Sequence, residues 1–136
     1  NNNYSRLKEK KIIEYTNLQI AIENKNIDTI NFLLKNQNID LNAMSMKKHE
    51  EIGTVLSQKP PLFHAIHDDA LMKILISSPI IDVNAMKIKK RGTISYEKPL
   101  LYEAIEKKLF SIVKIMLSCQ RIDVNLPCIH RILFYL

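Results

Sequence analysis

Residues 80–86 read IIDVNAM, and the pattern Ile-Asp-(Val/Leu)-Asn recurs in NIDLNAM at 38–44 and in RIDVNLP at 121–127. The copies begin at Ile39, Ile81 and Ile122, so the intervals are 42 and 41 residues. A spacing that regular marks a repeated unit, and a repeat constrains the fold before any local propensity does. Asp40, Asp82 and Asp123, with Asn42, Asn84 and Asn125, have short polar side chains able to close a turn on their own backbone. Leu41, Val83 and Val124 between them can point inward. The tetrapeptide is expected to be a structural corner and not a catalytic site.

Each corner is preceded by a helical pattern, in segments 16–43, 60–85 and 99–126. An Ala-Ile pair sits at Ala21, Ala65 and Ala104, with Leu18, Leu62 and Leu101 three residues earlier on the same helical face. After a short turn the apolar residues return as Ile27, Ile30, Leu33 and Leu34 in the first unit and as Phe110, Val113, Met116 and Leu117 in the third. That spacing predicts a second amphipathic helix. The middle unit keeps Met72, Leu75 and Ile76 in register but lacks two residues of the turn, so its connection must be tighter.

These three in-register copies resemble ankyrin repeats, in a variant with extended fingers, over about residues 16–126. The resemblance implies an all-α solenoid of helix-turn-helix units with projecting hairpin fingers, stacked side by side within one domain spanning 1–136. The usual Thr-Pro-Leu-His reads Thr-Asn-Leu-Gln at 16–19, Pro-Pro-Leu-Phe at 60–63 and Pro-Leu-Leu-Tyr at 99–102. Thr16 keeps a hydroxyl that caps a helix, and Pro60 and Pro99 suit a first turn that has no N–H to lose. The Gly usual between the helices is Lys25 and Lys108 here.

Ankyrin units run about 33 residues, so extra chain lies between Ala43 and Pro60 and between Ala85 and Pro99. Gly53 and Gly92, the only two glycines, stand in these insertions, each followed by Thr and each seven residues before its proline. The returning arms GTVLSQK and GTISYEK predict hairpin-like fingers turning near Gly, over about 44–59 and 86–98. Residues 1–15 read as the returning half of an earlier finger, and the first complete finger, with the longer outgoing arm, should be longer or bulged. Residues 127–136 look like a partial unit or an apolar cap, with Ile129, Ile132, Leu133 and Leu136 at helical spacing.

The net charge of +6 is carried by the fingers. Segment 86–98 sets Lys87, Lys89, Lys90, Arg91 and Lys98 against Glu97 alone, while the helical layers are slightly acidic. Such an edge concentrates anions, but lysine on exposed hairpin edges also keeps them from pairing with other chains, which is the plainer reading.

No apolar run approaches the roughly 20 residues that cross a bilayer, and the first fifteen residues lack the apolar core of an export signal. Cys119 and Cys128 make no disulfide framework, which points to a reducing compartment, the cytosol or else the nucleus. A start at Asn, with heavy use of Asn, Ile and Lys, reads as an excerpt of a longer protein. His64 and His67, followed by Asp68 and Asp69, lack a further ligand at metal-like spacing. Glu103 and Glu106 are paired carboxylates with no enclosing pocket in view. No Gly-rich phosphate loop, Gly-x-Ser-x-Gly or His-Glu-x-x-His occurs.

The expectation is a non-catalytic protein-protein interaction module or scaffold, with no enzyme activity, cofactor or metal. The resemblance implies that a partner protein meets the exposed first-helix residues Glu23, Asn24, His67, Asp68, Glu106 and Lys107. The same resemblance assigns the finger residues Lys47, Lys48, His49, Glu50, Lys89, Lys90 and Arg91 to that contact. Neighbouring units of a longer array would cover the ends. The competing class is an anion binder meeting RNA or acidic membrane through the fingers; nucleic acid is disfavoured because only Tyr96 offers a stacking ring beside the charges.

Overall fold

The computed structural model describes residues 10–36 and 38–132. Its order is β1 (Lys11–Glu14), α1 (Asn17–Glu23), α2 (Ile27–Leu34), β2 (Ser45–His49), β3 (Val55–Lys59), a 3₁₀ turn (Pro61–Ala65), α3 (Asp69–Ile76), β4 (Met86–Arg91), β5 (Ile94–Pro99), α4 (Leu100–Glu106), α5 (Phe110–Leu117) and β6 (Ile129–Ile132). The six strands form one antiparallel sheet in the order β1-β2-β3-β4-β5-β6. The fold is mixed α/β, and this corrects the expected all-α, ankyrin-type solenoid.

The correction has a geometric cause. Each hairpin contributes two strands, and two inter-strand spacings of about 4.8 Å each match the 8–10 Å between packed helices. Hairpins carried on neighbouring helix pairs therefore meet edge to edge. Between hairpins, β3 pairs with β4 through Ser57↔Lys89 and Gln58↔Ile88, and at the flanks β1 joins β2 and β6 joins β5. The lysines do not keep the hairpins of this one chain from pairing with each other. Gly92 (φ 58) takes the first central position of the two-residue β4–β5 turn, the left-handed place that favours glycine. Between β2 and β3 the chain turns through Glu50–Gly53, with Gly53 at φ 71, and the register slips between Lys47 and Lys48, where Leu56 of the returning strand is the extra, unpaired residue.

The helices stand in two rows: α1 packs on the 3₁₀ turn and α3 on α5, while within each unit the first element packs on the second. Leu18, Ile22, Ile30, Leu41, Leu62, Leu71, Met72, Leu75, Ile81, Leu100, Ile112 and Met116 are fully buried, and Ala21, Ala65 and Ala104 lie where the first helices come close. Thr16 and Gln19 form a capping box on α1, and the buried Gln19 amide continues to the carbonyl of Ala43 at 2.9 Å. The shortened middle connection leaves a 3₁₀ turn where an α-helix was expected. Both α1 and α4 end in Schellman motifs: the N–H of Asn26 bonds Ala21 O and that of Leu109 bonds Ala104 O, with Lys25 (φ 53) and Lys108 (φ 58) left-handed between.

The three corners are Asx turns, with the N–H of Asn42, Asn84 and Asn125 donating to the carboxylates of Asp40, Asp82 and Asp123 at 2.9–3.0 Å. The asparagines also reach the following unit, which the sequence did not disclose. Asn42 bonds Ile80 O and the N–H of Asp82; Asn84 bonds Arg121 O and the N–H of Asp123. Leu41 and Val83 are buried, but Val124 is 61% exposed, as are Phe110 (74%) and Leu117 (55%), contrary to the reading that placed them inward. In the last segment, Ile129 and Ile132 belong to a strand and not to a helix; Leu133 and Leu136 lie outside the described residues. Of segment 1–15, the described part contributes β1.

Candidate functional site

Strand parity builds the site. In β4, Lys87, Lys89 and Arg91 alternate with Met86, Ile88 and Lys90, so three cations share one face. Register carries that face across the sheet: Lys47 and Lys89 each stand opposite Ser57, Lys89 opposite Tyr96, Tyr96 opposite His130, and Lys87 opposite Lys98. A groove of about 470 Å³ opens on this face; its lining includes Lys11, Lys47, Lys59, Lys87, Lys89 and Arg91 and no carboxylate. A second groove of about 450 Å³ shares Lys87, Lys89 and Arg91 and adds Tyr96, Lys98, Tyr102, Glu106 and His130. The two make one trough where the sheet meets the first helices.

Carboxylates neutralise the α4 side. Lys87 pairs with the buried Glu103, and Lys107 lies 3.9 Å from the same carboxylate. Lys98 donates to Glu106 at 2.8 Å, which raises the lysine pKa and lowers that of the carboxyl. Glu103 is thus enclosed, unlike the sequence reading of it. Among the described residues, Lys47, Lys59, Lys89 and Arg91 make no ion pair. The Arg91 guanidinium, with burial adding to it, holds Lys89 below the ordinary lysine value; burial, with Lys87 close by, does the same for Lys59.

A relay runs along the wall of the trough, whose lining includes Ser45 and His64. Ser45 Oγ lies 3.0 Å from His64 Nε2, and His64 Nδ1 lies 2.7 Å from Glu23 Oε1. Burial holds His64 below the ordinary histidine value, against the opposing hydrogen bond to Glu23, so the neutral ring donates from Nδ1 to Glu23 and accepts from Ser45 at Nε2. This is the hydrogen-bond order that activates a serine nucleophile. Ser45, however, is 4% exposed within β2, and its single hydroxyl proton has a competing acceptor in Lys59 O at 3.3 Å.

Of the residues singled out from the sequence, Lys47, Lys89, Lys90, Arg91 and Glu106 line the trough, and Glu23 bonds His64 in its wall. Lys48 sits at the adjoining position of β2 and pairs with Glu14 at 3.1 Å; His49 and Glu50 border the turn, where the Glu50 N–H bonds Lys10 O. Asn24 and Lys107 are helix C-caps, and Asp68 caps α3 through the Leu71 N–H while facing Lys25 at 3.5 Å. His67 is exposed and apart from both grooves. The sequence does not single out Lys11, Lys59 or Ser45, marks Lys87 and Lys98 only within the basic segment 86–98, and offers His64 only as a metal-ligand candidate. Counting every second residue along the finger arms finds most of the cations.

Among the described residues, no cluster of three or more His, Cys, Asp or Glu could hold a metal ion, and no helix is long and apolar enough to cross a membrane. No protein-family model, curated protein or solved structure matches the chain, so the ankyrin resemblance carries no residue role any further.

Proposed function

We propose that this chain is a non-catalytic protein-interaction module that holds a partner protein against the trough between the hairpin strands and the first helices. One observation carries the reading: cations from separate hairpins and the polar face of α4 combine into one continuous recessed surface, with grooves that share Lys87, Lys89 and Arg91. The same cations favour the second reading, an anion binder for RNA or acidic membrane. Against it, Tyr96 packs edge-on to His130 at 4.6 Å, and Lys98 already lies over Tyr102 at 5.7 Å, which leaves little open ring for base stacking. Free Cys119 and Cys128 support a cytosolic or nuclear setting.

The relay along the trough wall is read as a structural tie between β2, the 3₁₀ turn and α1. Two experiments test the module. A fluorophosphonate probe should leave Ser45 unlabelled; stoichiometric labelling lost in Ser45→Ala would overturn the non-catalytic reading. Affinity purification with the triple variant Lys47→Glu, Lys89→Glu, Arg91→Glu as reference should lose discrete proteins that survive nuclease treatment. Capture that disappears with nuclease would favour the second reading.

A further inference from the structure

We propose that the trough receives an extended, carboxylate-rich segment of its partner, laid on the cationic sheet face with alternate Asp or Glu side chains against Lys47, Lys59, Lys89 and Arg91. This rests on the module reading and names the partner's chemistry.

Charge gives the first argument. These four cations come from three strands, share a face, and have no ion pair among the described residues, while Glu103 and Glu106 already occupy Lys87 and Lys98. The lining of the larger groove holds no acidic group at all. Like charges brought together cost free energy that an arriving anion relieves, and the depressed Lys89 shows the crowding.

Pitch gives the second. Lys89 and Arg91 are two residues apart on β4, about 6.7 Å at strand rise, and an extended segment presents alternate side chains at that same interval. Across the sheet, Lys47 and Lys89 flank Ser57, two strand spacings or about 9.6 Å apart. The small Ser57 between the two longer side chains forms the floor of a channel. Cations spread in this way fit a row of carboxylates better than one compact phosphate.

The shape disfavours other polyanions. The rings of Tyr15 and Tyr96 are engaged edge-on by His64 and His130, and Lys98 covers Tyr102.

The test uses defined probes and the intact chain. Fluorescence anisotropy of a labelled ten-residue peptide alternating Glu and Ser should show saturable binding that weakens as salt rises. A peptide alternating Lys and Ser should not bind. The double variant Lys89→Glu, Arg91→Glu should lose at least tenfold in affinity. Lys48→Glu with Lys114→Glu, an equal charge change away from the groove linings, should lose less than threefold. Circular dichroism confirms that both pairs fold. Equal losses in the two variants, no acidic-peptide binding, or tighter binding to a uridine oligonucleotide or to phosphatidylserine vesicles each overturn the proposal. Failure with acidic peptides while nuclease-resistant protein capture persists removes the acidic segment and leaves the module; Ser45 labelling removes the module itself.

Discussion

Replacing Lys108 by Gly should stabilise the protein. Lys108 sits at φ 58, the residue just past the α4 cap, where its N–H bonds Ile105 O and the following N–H of Leu109 bonds Ala104 O. A left-handed backbone costs a residue with a Cβ about 1–2 kcal/mol, and glycine avoids it. The greater freedom of glycine in the unfolded chain returns about 0.4–1 kcal/mol of that. The net gain is about 1 kcal/mol, or about 3–4 °C in Tm for a chain of 136 residues. Lys108→Ala is the reference, because it removes the same charge and keeps the strained backbone. Urea and thermal unfolding should rank Gly above Ala by about 1 kcal/mol. Equal midpoints would refute the reasoning, because the left-handed residue would then store no strain. Lys25→Gly should gain less, since it also gives up the exposed pair with Asp68 at 3.5 Å, worth about 0–1 kcal/mol.

Arg121 donates to the carbonyls of Ile76, Ser78, Ile81 and Pro79 at 2.6–3.3 Å, so Arg121→Ala should cost about 2 kcal/mol. Urea unfolding reads this, and Arg121→Lys should recover less than half, lacking the planar fork. Asn84→Ala breaks two bonds to the following unit and should cost about 1–2 kcal/mol by the same assay; a cost no larger than that of Asn125→Ala would contradict the inter-unit role. His64 is held below its ordinary value by burial, so the folded protein binds that proton less readily than the unfolded chain. Its contribution is whole above the unfolded value near 6.5 and falls as pH drops below it; the stability gap between the wild type and His64→Gln should therefore narrow from pH 7.5 to 5, and a constant gap would be contrary. Raising sodium chloride from 0.05 to 0.5 M shortens the Debye length from about 14 to about 4 Å, so Tm should rise in the wild type and less in Lys89→Glu, Arg91→Glu.

Much of the helix layer was legible because its signals are local. Helical spacing located α1, α2, α3, α4 and α5, Thr16 announced its cap, and Asp-x-Asn announced its turn. The sheet was not legible in the same way. GTVLSQK and GTISYEK disclose hairpins, but whether β3 pairs with β4 depends on the distance between two helix pairs, and no residue in either arm encodes that. The same limit hid the second partners of Asn42 and Asn84 and the four carbonyls around Arg121, all about forty residues away in the chain. Phe110 and Leu117 illustrate the converse: an amphipathic pattern names a face that wants covering without naming what covers it.

The trough follows from joining local parity to that long-range pairing. On a lone hairpin, Lys87, Lys89 and Arg91 would be solvated side chains with room to diverge. Pairing β3 to β4 sets Lys89 across Ser57 from Lys47, and the neighbouring rung brings Lys59 into the same recess. The hydrogen bonds that close the sheet thereby confine charges that would otherwise separate. Helix carboxylates relieve this only on the α4 side, through Glu103 and Glu106. On the side of the first two hairpins Glu23 turns instead to His64, and among the described residues it makes no ion pair with the surrounding lysines. A sequence needing only solubility has no reason to bring its cations onto one recessed face; a partner with carboxylates at strand pitch supplies one.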